Sequence, residues 1–420
     1  NNVQDGWETI SLYGASGTSI IPLEKHLVER GGWFRENGGG MPRFGSLGGM
    51  FSAVATQIFA DPMEAGKVMG LAPYGIPEIP SSAFFDIAQG SFNFLDNVPE
   101  MFRHDEHWPA RVDEHKNLAA SVQSALEDAI LYLANHLRNI CPSENLCYAG
   151  GVALNSVANE RIIREAGFKR VHIPPAAEDS GPAIGAAYYG LWQLAGHNTR
   201  REMVQDACGR LYSSKSVSSA IEKFPEVRVV KTRNAIEEAV ERLCDGEIIG
   251  WFDGGSELGP RALGQRSILC DPRREDAKEI LNRRVKKREA FRPFAPAILR
   301  EEVENWFELR GAPSESPFML RVCEFKADKV WQVPAVVHVD DTGRLQTVTR
   351  EANGRFYELV KRFYEATGVP VLLNTSFNVM GEPIVETPED AIRCLLNSGL
   401  DCCIFEDWIV MKSDGGTNNL

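Results

Sequence analysis

At 420 residues, 43% hydrophobic and 25% charged, the chain carries core material for two or three soluble domains. Its net charge of -13, from 45 Lys and Arg against 58 Asp and Glu, argues against a nucleic-acid or anionic-membrane surface as its main business. No apolar run reaches the roughly 18 residues that a membrane-spanning helix needs. Nine cysteines, at 141, 147, 208, 244, 270, 323, 394, 402 and 403, form no CxxC and lie mostly in apolar strings. They predict reduced, buried thiols of a cytoplasmic protein. Cys402 and Cys403 are neighbours on an expected strand, where side chains point to opposite faces, which disfavours a metal site there.

In chain order, residues 1–30 read as a β-hairpin and 31–45 as a glycine-rich irregular stretch. Ser46 caps an expected helix to Phe59. Glu64 to Gly75 reads as a glycine-punctuated loop holding Lys67, and 76–112 as a Pro- and aromatic-rich insert or lid. Residues 114–140 carry one apolar stripe, through Leu118, Val122, Leu126, Ala129, Leu133 and Leu137, which is a core helix. Asn145 to Gly167 is a strand, a Gly150–Gly151 turn and a helix; that order aims backbone N–H groups at whatever sits on the turn and suits phosphate or ribose. Arg170 to Pro175 repeats the strand, and a second helix opens at Asp179–Ser180. A polar stretch over 197–215 marks the boundary between domains 1–205 and 206–420. Beyond it a new α/β pattern begins. Its expected strands include ESPFMLRVCEF, AVVHVD, RLQTVTR and a single closing strand DCCIFEDWIVM. Gly354–Gly368 and Thr387–Gly399 are expected helices, the second capped by Thr387 with Pro388 in its first turn.

A basic island stands out. Arg261 to Arg300 holds twelve Lys or Arg against five Asp or Glu in a chain that is otherwise acidic. The charges alternate with buried-looking residues in LGPRALGQRSIL and FRPFAPAIL, so a purely solvated helix face does not account for them. Arg is a planar fork for phosphate oxygens and Lys a compact point charge. Arg261, Arg266, Lys286, Arg288 and Arg292 are therefore the phosphate candidates, and Arg283, Arg284 and Lys287 the solvated part. A second group, His338, Asp340 and Arg344 with Asn374, Ser376 and Asn378, lies at the ends of apolar α/β segments, where ligand crevices form.

The strings GPRALGxRSIL, KxREAFRPFAPAIL, HVDxTxRxQTV and TGVPVLLNTSFNxxGEPIVxTPEDAI resemble the C-terminal, YrdC-like domain of the O-carbamoyltransferases of the nodulation and antibiotic-tailoring type. GKVMGLAPYG, AGGVALNSVANERI and DSGPAIGAA resemble the second half of that family's N-terminal domain, which has the actin- and sugar-kinase-like fold. The resemblance runs from about residue 5 to 412 and implies an α/β chain, a partial kinase-like domain followed by a YrdC-like one. It implies an enzyme that makes carbamoyl-adenylate from ATP, taken with Mg2+, and carbamoyl phosphate, and then carbamoylates a hydroxyl of a small-molecule acceptor near a metal, usually Fe2+. By motif position it assigns Arg261, Lys286 and Arg292 to carbamoyl phosphate and ATP. It gives Arg344 and Ser376 to the nucleotide, Gly150, Gly151 and Asn155 to the nucleotide side of the transfer site, and Asp179 to the metal.

Two departures stand beside it. The family's HHxxxH-type metal motif is absent, and His104–His107 has the wrong spacing. The opening strand-and-glycine segment of the kinase-like fold is also missing, so an upstream part is expected outside this chain or as a separate polypeptide; a homo-oligomer is the other partner to consider. Glu178 stands where the family usually has glycine. The alternatives are hydrogenase-maturation or tRNA-modifying carbamoylation enzymes and a non-catalytic nucleotide- or RNA-binding module. Against the first two stand the lack of zinc-finger CxxC pairs, of an acylphosphatase-like segment and of a favourable charge.

Overall fold

The computed structural model describes residues 6–29, 45–88, 91–95, 106–197 and 203–413. Two compact units divide the chain: Asn1–His172 with Ala186–Asn198, and Ile173–Gly185 with Thr199–Leu420. Segment 173–185 clusters with the second unit, and one reason is visible at Gly259. A Cβ on that glycine would lie 2.7 Å from the Pro175 carbonyl oxygen, so the two loops touch backbone to backbone.

The first unit opens on an antiparallel hairpin, β1 (Gly6–Ser16) with β2 (Ser19–Glu29). The Ser46 hydroxyl accepts from the Gly49 N–H and caps a helix over Leu47–Phe59. The stretch expected to be a loop after Glu64 is instead helical over Ala65–Leu71, flanked by 3-10 turns at Pro62–Glu64 and Ala72–Tyr74. Gly66 and Gly70 disguised it; Asp61 caps the first turn through the Met63 N–H, and Val68 and Leu71 are buried. Within the expected insert lies a short hairpin, β3 (Phe85–Ala88) with β4 (Ser91–Phe94). The expected glycine-rich stretch and His104 fall outside the described residues. A 29-residue helix, Val112–Ile140, buries its stripe as the periodicity requires. β5 (Asn145–Cys147) and β6 (Arg170–His172) pair in parallel, with a helix over Ser156–Glu165 between them.

The second unit is built on a ten-stranded mixed sheet. Its strands are β7 (Val227–Lys231), β8 (Ile249–Phe252), β9 (Arg266–Cys270), β10 (Ala295–Leu299), β11 (Phe307–Glu308), β12 (Arg321–Phe325), β13 (Thr342–Val348), β14 (Val371–Ser376), β15 (Cys402–Phe405) and β16 (Trp408–Lys412). Across the sheet they run 11-12-13-10-14-9-8-15-16-7. Strands 8, 9, 10 and 15 are buried at every residue, so the centre of the sheet is covered on both faces. Trp251, Phe294, Phe356, Phe363, Phe377 and Phe405 fill that core.

Several sequence expectations are corrected here. AVVHVD is a 3-10 turn (Pro334–Val336) and a tight turn whose Asp341 has φ 58°, so it cannot continue as a strand. The closing strand is a hairpin that reverses at Glu406–Asp407. The strand expected in ESPFMLRVCEF begins only at Arg321, behind Met319 with φ 54°. The helix expected across the basic island is four residues, Ala277–Ile280, followed by a π-type turn over Leu281–Val285. All nine cysteines are free, but Cys147, Cys208 and Cys244 are exposed rather than buried. Thr387 caps the helix Pro388–Asn397 in a complete capping box with Asp390, as its sequence implies. No described helix is long and apolar enough to cross a membrane.

Candidate anion site

In the second unit the basic residues come from three separate places, the loop before β9, the segment after the π-type turn and strand β13, and the turn after β14 adds polar acceptors. The loop Gly259–Gln265 carries Arg261. Gly264 there has φ 112°, and a Cβ on it would lie 2.3 Å from the Phe356 ring, so only glycine fits. Glu257 fixes the loop from one side. Its Oε1 accepts from the N–H groups of Leu263 (2.7 Å), Gln265 (2.8 Å) and Arg266 (3.3 Å). Asn374 and Gln346 fix it from beneath: Asn374 Nδ2 donates to the Ala262 carbonyl (3.1 Å), Gln346 Nε2 to the Leu263 carbonyl (2.8 Å), and Asn374 Nδ2 also to Gln346 Oε1 (2.7 Å).

Arg261, Arg288, Arg292 and Arg344 converge. Burial pushes Arg344 well below its ordinary value, and the charges of Arg261, Arg288 and Arg292 push the same way. Burial and Arg292 bring Arg261 down to about 10. Burial, then Arg292, brings Arg288 down to about 9. Among the described residues the carboxylate facing this group is Glu289, 3.9 Å from Arg292. Arg288 is held by Asn282 Oδ1 (2.8 Å) and the Pro293 carbonyl (3.3 Å), whereas the Nε groups of Arg261 and Arg344 are buried and donate to no protein acceptor. Four guanidinium groups within electrostatic reach of one another, two of them with a buried Nε that meets no protein acceptor, suit a bound anion.

Lys286 is 3% exposed and turns toward the β14 turn, where its Nζ donates to the Ser376 carbonyl, Ser376 Oγ (3.1 Å), the Asn378 carbonyl (3.0 Å) and Asn378 Oδ1 (2.8 Å). Burial, then Arg288 and Arg292, brings its ammonium down to about 7, against four acceptors that favour the protonated form. His338 stands beside Arg344; its Nδ1 is 3.0 Å from Thr342 Oγ1, and burial brings its ring down to about 4, so it is neutral near pH 7.

The remaining sequence candidates make other contacts. Arg266 is fully buried and serves the fold: its Nη1 donates to the Asp253 (2.6 Å), Gly254 (3.2 Å) and Gln265 (3.1 Å) carbonyls, and its guanidinium lies 3.6 Å over the Phe252 ring. Gly150, Gly151 and Asn155 belong to the first unit. Gly150 has φ 115° on an exposed turn, while the Asn155 side chain is buried and engaged, accepting from Ala158 N–H (3.0 Å) and exchanging hydrogen bonds with Gln123. Asp179 is exposed, and the neighbouring Glu178 spends both oxygens on Ser180. Among the described residues no group of three or more His, Cys, Asp or Glu could hold a metal ion, so the described donor set at Asp179 does not fit one. Arg283, Arg284 and Lys287 are exposed. Sequence reasoning missed Glu257 and Gln346; a glutamate just ahead of Gly259–Pro260 was the available signal for the first.

Residues 19–188 match the family profile described as carbamoyltransferase N-terminus, and residues 240–412 the one described as carbamoyltransferase C-terminus. A Synechocystis protein, sll1178, is 35% identical over 97% of this chain and 71% of its own length. The chain belongs to the carbamoyltransferase family. Nodulation protein NolO of Bradyrhizobium diazoefficiens is 34% identical over 88% of this chain and 70% of that protein. Nodulation protein NolNO of Sinorhizobium fredii is 35% identical over 94% of this chain but only 58% of that protein. The crystal structure of full-length HypF in its phosphate- and nucleotide-bound form superposes with a TM-score of 0.30 at 18% identity, covering 44% of this chain and 22% of that one, too loosely to establish a shared fold. The arginine cluster thus lies inside the carbamoyltransferase C-terminal segment, and the Gly150–Gly151 turn and Asp179 inside the N-terminal one.

Proposed function

We propose that the chain is an ATP-dependent O-carbamoyltransferase whose second unit makes carbamoyl-adenylate. The observation that carries this is the convergence of Arg261, Arg288, Arg292 and Arg344 with so little carboxylate to neutralise them. A site of this charge suits a polyphosphate together with a small acyl phosphate.

The chemistry balances as follows. Water cleaves carbamoyl phosphate to carbamate and inorganic phosphate. A carbamate oxygen attacks the α-phosphorus of Mg2+-bound ATP, and the α–β anhydride bond breaks to release pyrophosphate. An acceptor hydroxyl then attacks the carbamoyl carbon, AMP leaves, and the hydroxyl proton goes to solvent. The product is a carbamate ester of a natural-product or sugar hydroxyl. In this scheme the four arginines hold phosphate oxygens and offset charge on the departing pyrophosphate. Lys286 shapes the Ser376–Asn378 turn beside them, and neutral His338 adds no further cation. The iron that the family resemblance implies enters no step, because the described residues around Asp179 do not supply its ligands.

ATP–pyrophosphate exchange that depends on carbamoyl phosphate tests the reading. Exchange is expected with the native chain and is expected to fall at least 100-fold in Arg261→Ala. No exchange in the native chain, or undiminished exchange in the variant, overturns it.

A further inference from the structure

One group beside the arginines is a lone pair and not a cation. Thr342 and Arg344 are two residues apart on β13 and so share a face of that strand. Arg344 faces Arg261, Arg288 and Arg292, and Thr342 holds the His338 ring beside it, with Nδ1 3.0 Å from Thr342 Oγ1. The Thr342 hydroxyl gives its one proton to the stronger acceptor, the Asp340 carboxylate, at 2.7 Å. Toward the ring its oxygen therefore accepts, and Nδ1 carries the ring proton. Because the ring is neutral near pH 7, Nε2 is left with a bare lone pair. That nitrogen is buried and meets no protein partner. The Phe294 carbonyl, which also faces the ring, is itself an acceptor and cannot satisfy it.

The arginines present N–H groups alone, and the acceptors of the Ser376–Asn378 turn are spent on Lys286. Such a site suits the oxygens of any acyl phosphate. An N–H2 group beside those oxygens needs an acceptor, whereas a methyl group of the same size needs none.

We propose that His338 Nε2 accepts from the N–H2 of the carbamoyl group, and that this is how the second unit selects carbamoyl phosphate over an acyl phosphate of the same shape, such as acetyl phosphate. Thr342 and Asp340 are positioning residues that fix the tautomer. The inference rests on the anion reading above and deepens it.

Phosphonoacetamide and acetonylphosphonate are stable stand-ins for carbamoyl and acetyl phosphate that differ only in NH2 against CH3. Calorimetry measures the binding of each, and of pyrophosphate, to the full chain. The native chain is expected to prefer the amide about tenfold, the effect of one neutral hydrogen bond made or missed. In His338→Phe the ratio is expected to fall to about one, with the loss on the amide. In His338→Gln, whose carbonyl oxygen can replace Nε2, part of the preference is expected to return. Thr342→Val, which frees the tautomer, is expected to lower the ratio without touching the ring; if His338→Phe fails to fold, this variant decides. Equal losses for both analogues in His338→Phe, an unchanged ratio, or no preference in the native chain overturns the inference and leaves the anion cluster standing. Binding of pyrophosphate with neither analogue does the same. If the native chain binds none of the three, the anion reading fails and the inference falls with it.

Discussion

Arg344→Met separates a structural arginine from a ligand-binding one. Arg344 sits on β13, short of acceptors and facing three like charges. Its neighbour Arg261 sets the scale: the drop from 12.5 to about 10 corresponds to roughly 3 kcal/mol of unfavourable environment, at about 1.4 kcal/mol per pKa unit. Replacing such a buried charge by an apolar side chain of similar length stabilises by roughly 1–3 kcal/mol. In a unit of this size that raises Tm by about 2–12 °C without ligand. The same change removes charge-assisted hydrogen bonds to a bound anion worth about 1.5–3 kcal/mol, or roughly a 10- to 150-fold loss of affinity. Melting curves with and without pyrophosphate read both effects: the variant is expected to melt higher than native when empty and to gain less from the anion. A variant that melts lower when empty, or binds pyrophosphate with native affinity, refutes the reasoning.

Lys286 makes anion binding depend on pH. Burial, then Arg288 and Arg292, brings its ammonium down to about 7, and a bound anion favours the charged form, so affinity is expected to weaken as pH rises above 7, with proton uptake on binding at pH 8. Calorimetry in two buffers of different ionisation enthalpy detects that uptake, and Lys286→Met is expected to abolish it. Asp206 carries the opposite kind of linkage: burial, then Glu257, raises it from 3.8 to about 8, so the folded chain holds a proton that the unfolded chain releases, and stability falls as pH rises from about 4 to 8. Asp206→Asn is expected to raise Tm more at pH 8 than at pH 5; equal shifts at both pH values contradict this. Arg266→Ala is expected to cost about 3 kcal/mol or more in stability, because three carbonyls lose their donor and Phe252 its cation, and denaturant unfolding reads it directly.

The parts of the fold that were legible in the sequence are those whose cause is local. Ser46 and Thr387 announce their helices because a cap needs only the next three residues. The stripe on Val112–Ile140 is a one-dimensional pattern. Ala65–Leu71 was illegible because two glycines outweigh its propensity until Val68 and Leu71 find a core. The reversal at Glu406–Asp407 was illegible because it uses neither glycine nor asparagine. In the candidate site the charge anomaly pointed to Arg261, Arg288 and Arg292. Charge alone could not divide Arg266 from them, since only the folded chain shows three carbonyls waiting for its guanidinium. Lys286 meets Ser376 and Asn378 across 90 and 92 positions of sequence, and no spacing rule reaches that far.

The central claim is that the arginine cluster serves adenylate formation, and the products of ATP cleavage test it most directly. The full chain is incubated with ATP and carbamoyl phosphate without acceptor, quenched, and analysed by mass spectrometry. The expected result is carbamoyl-adenylate with matching pyrophosphate, seen only when both substrates are present and absent in Arg261→Ala. Cleavage to ADP and inorganic phosphate, with no adenylate, contradicts the account.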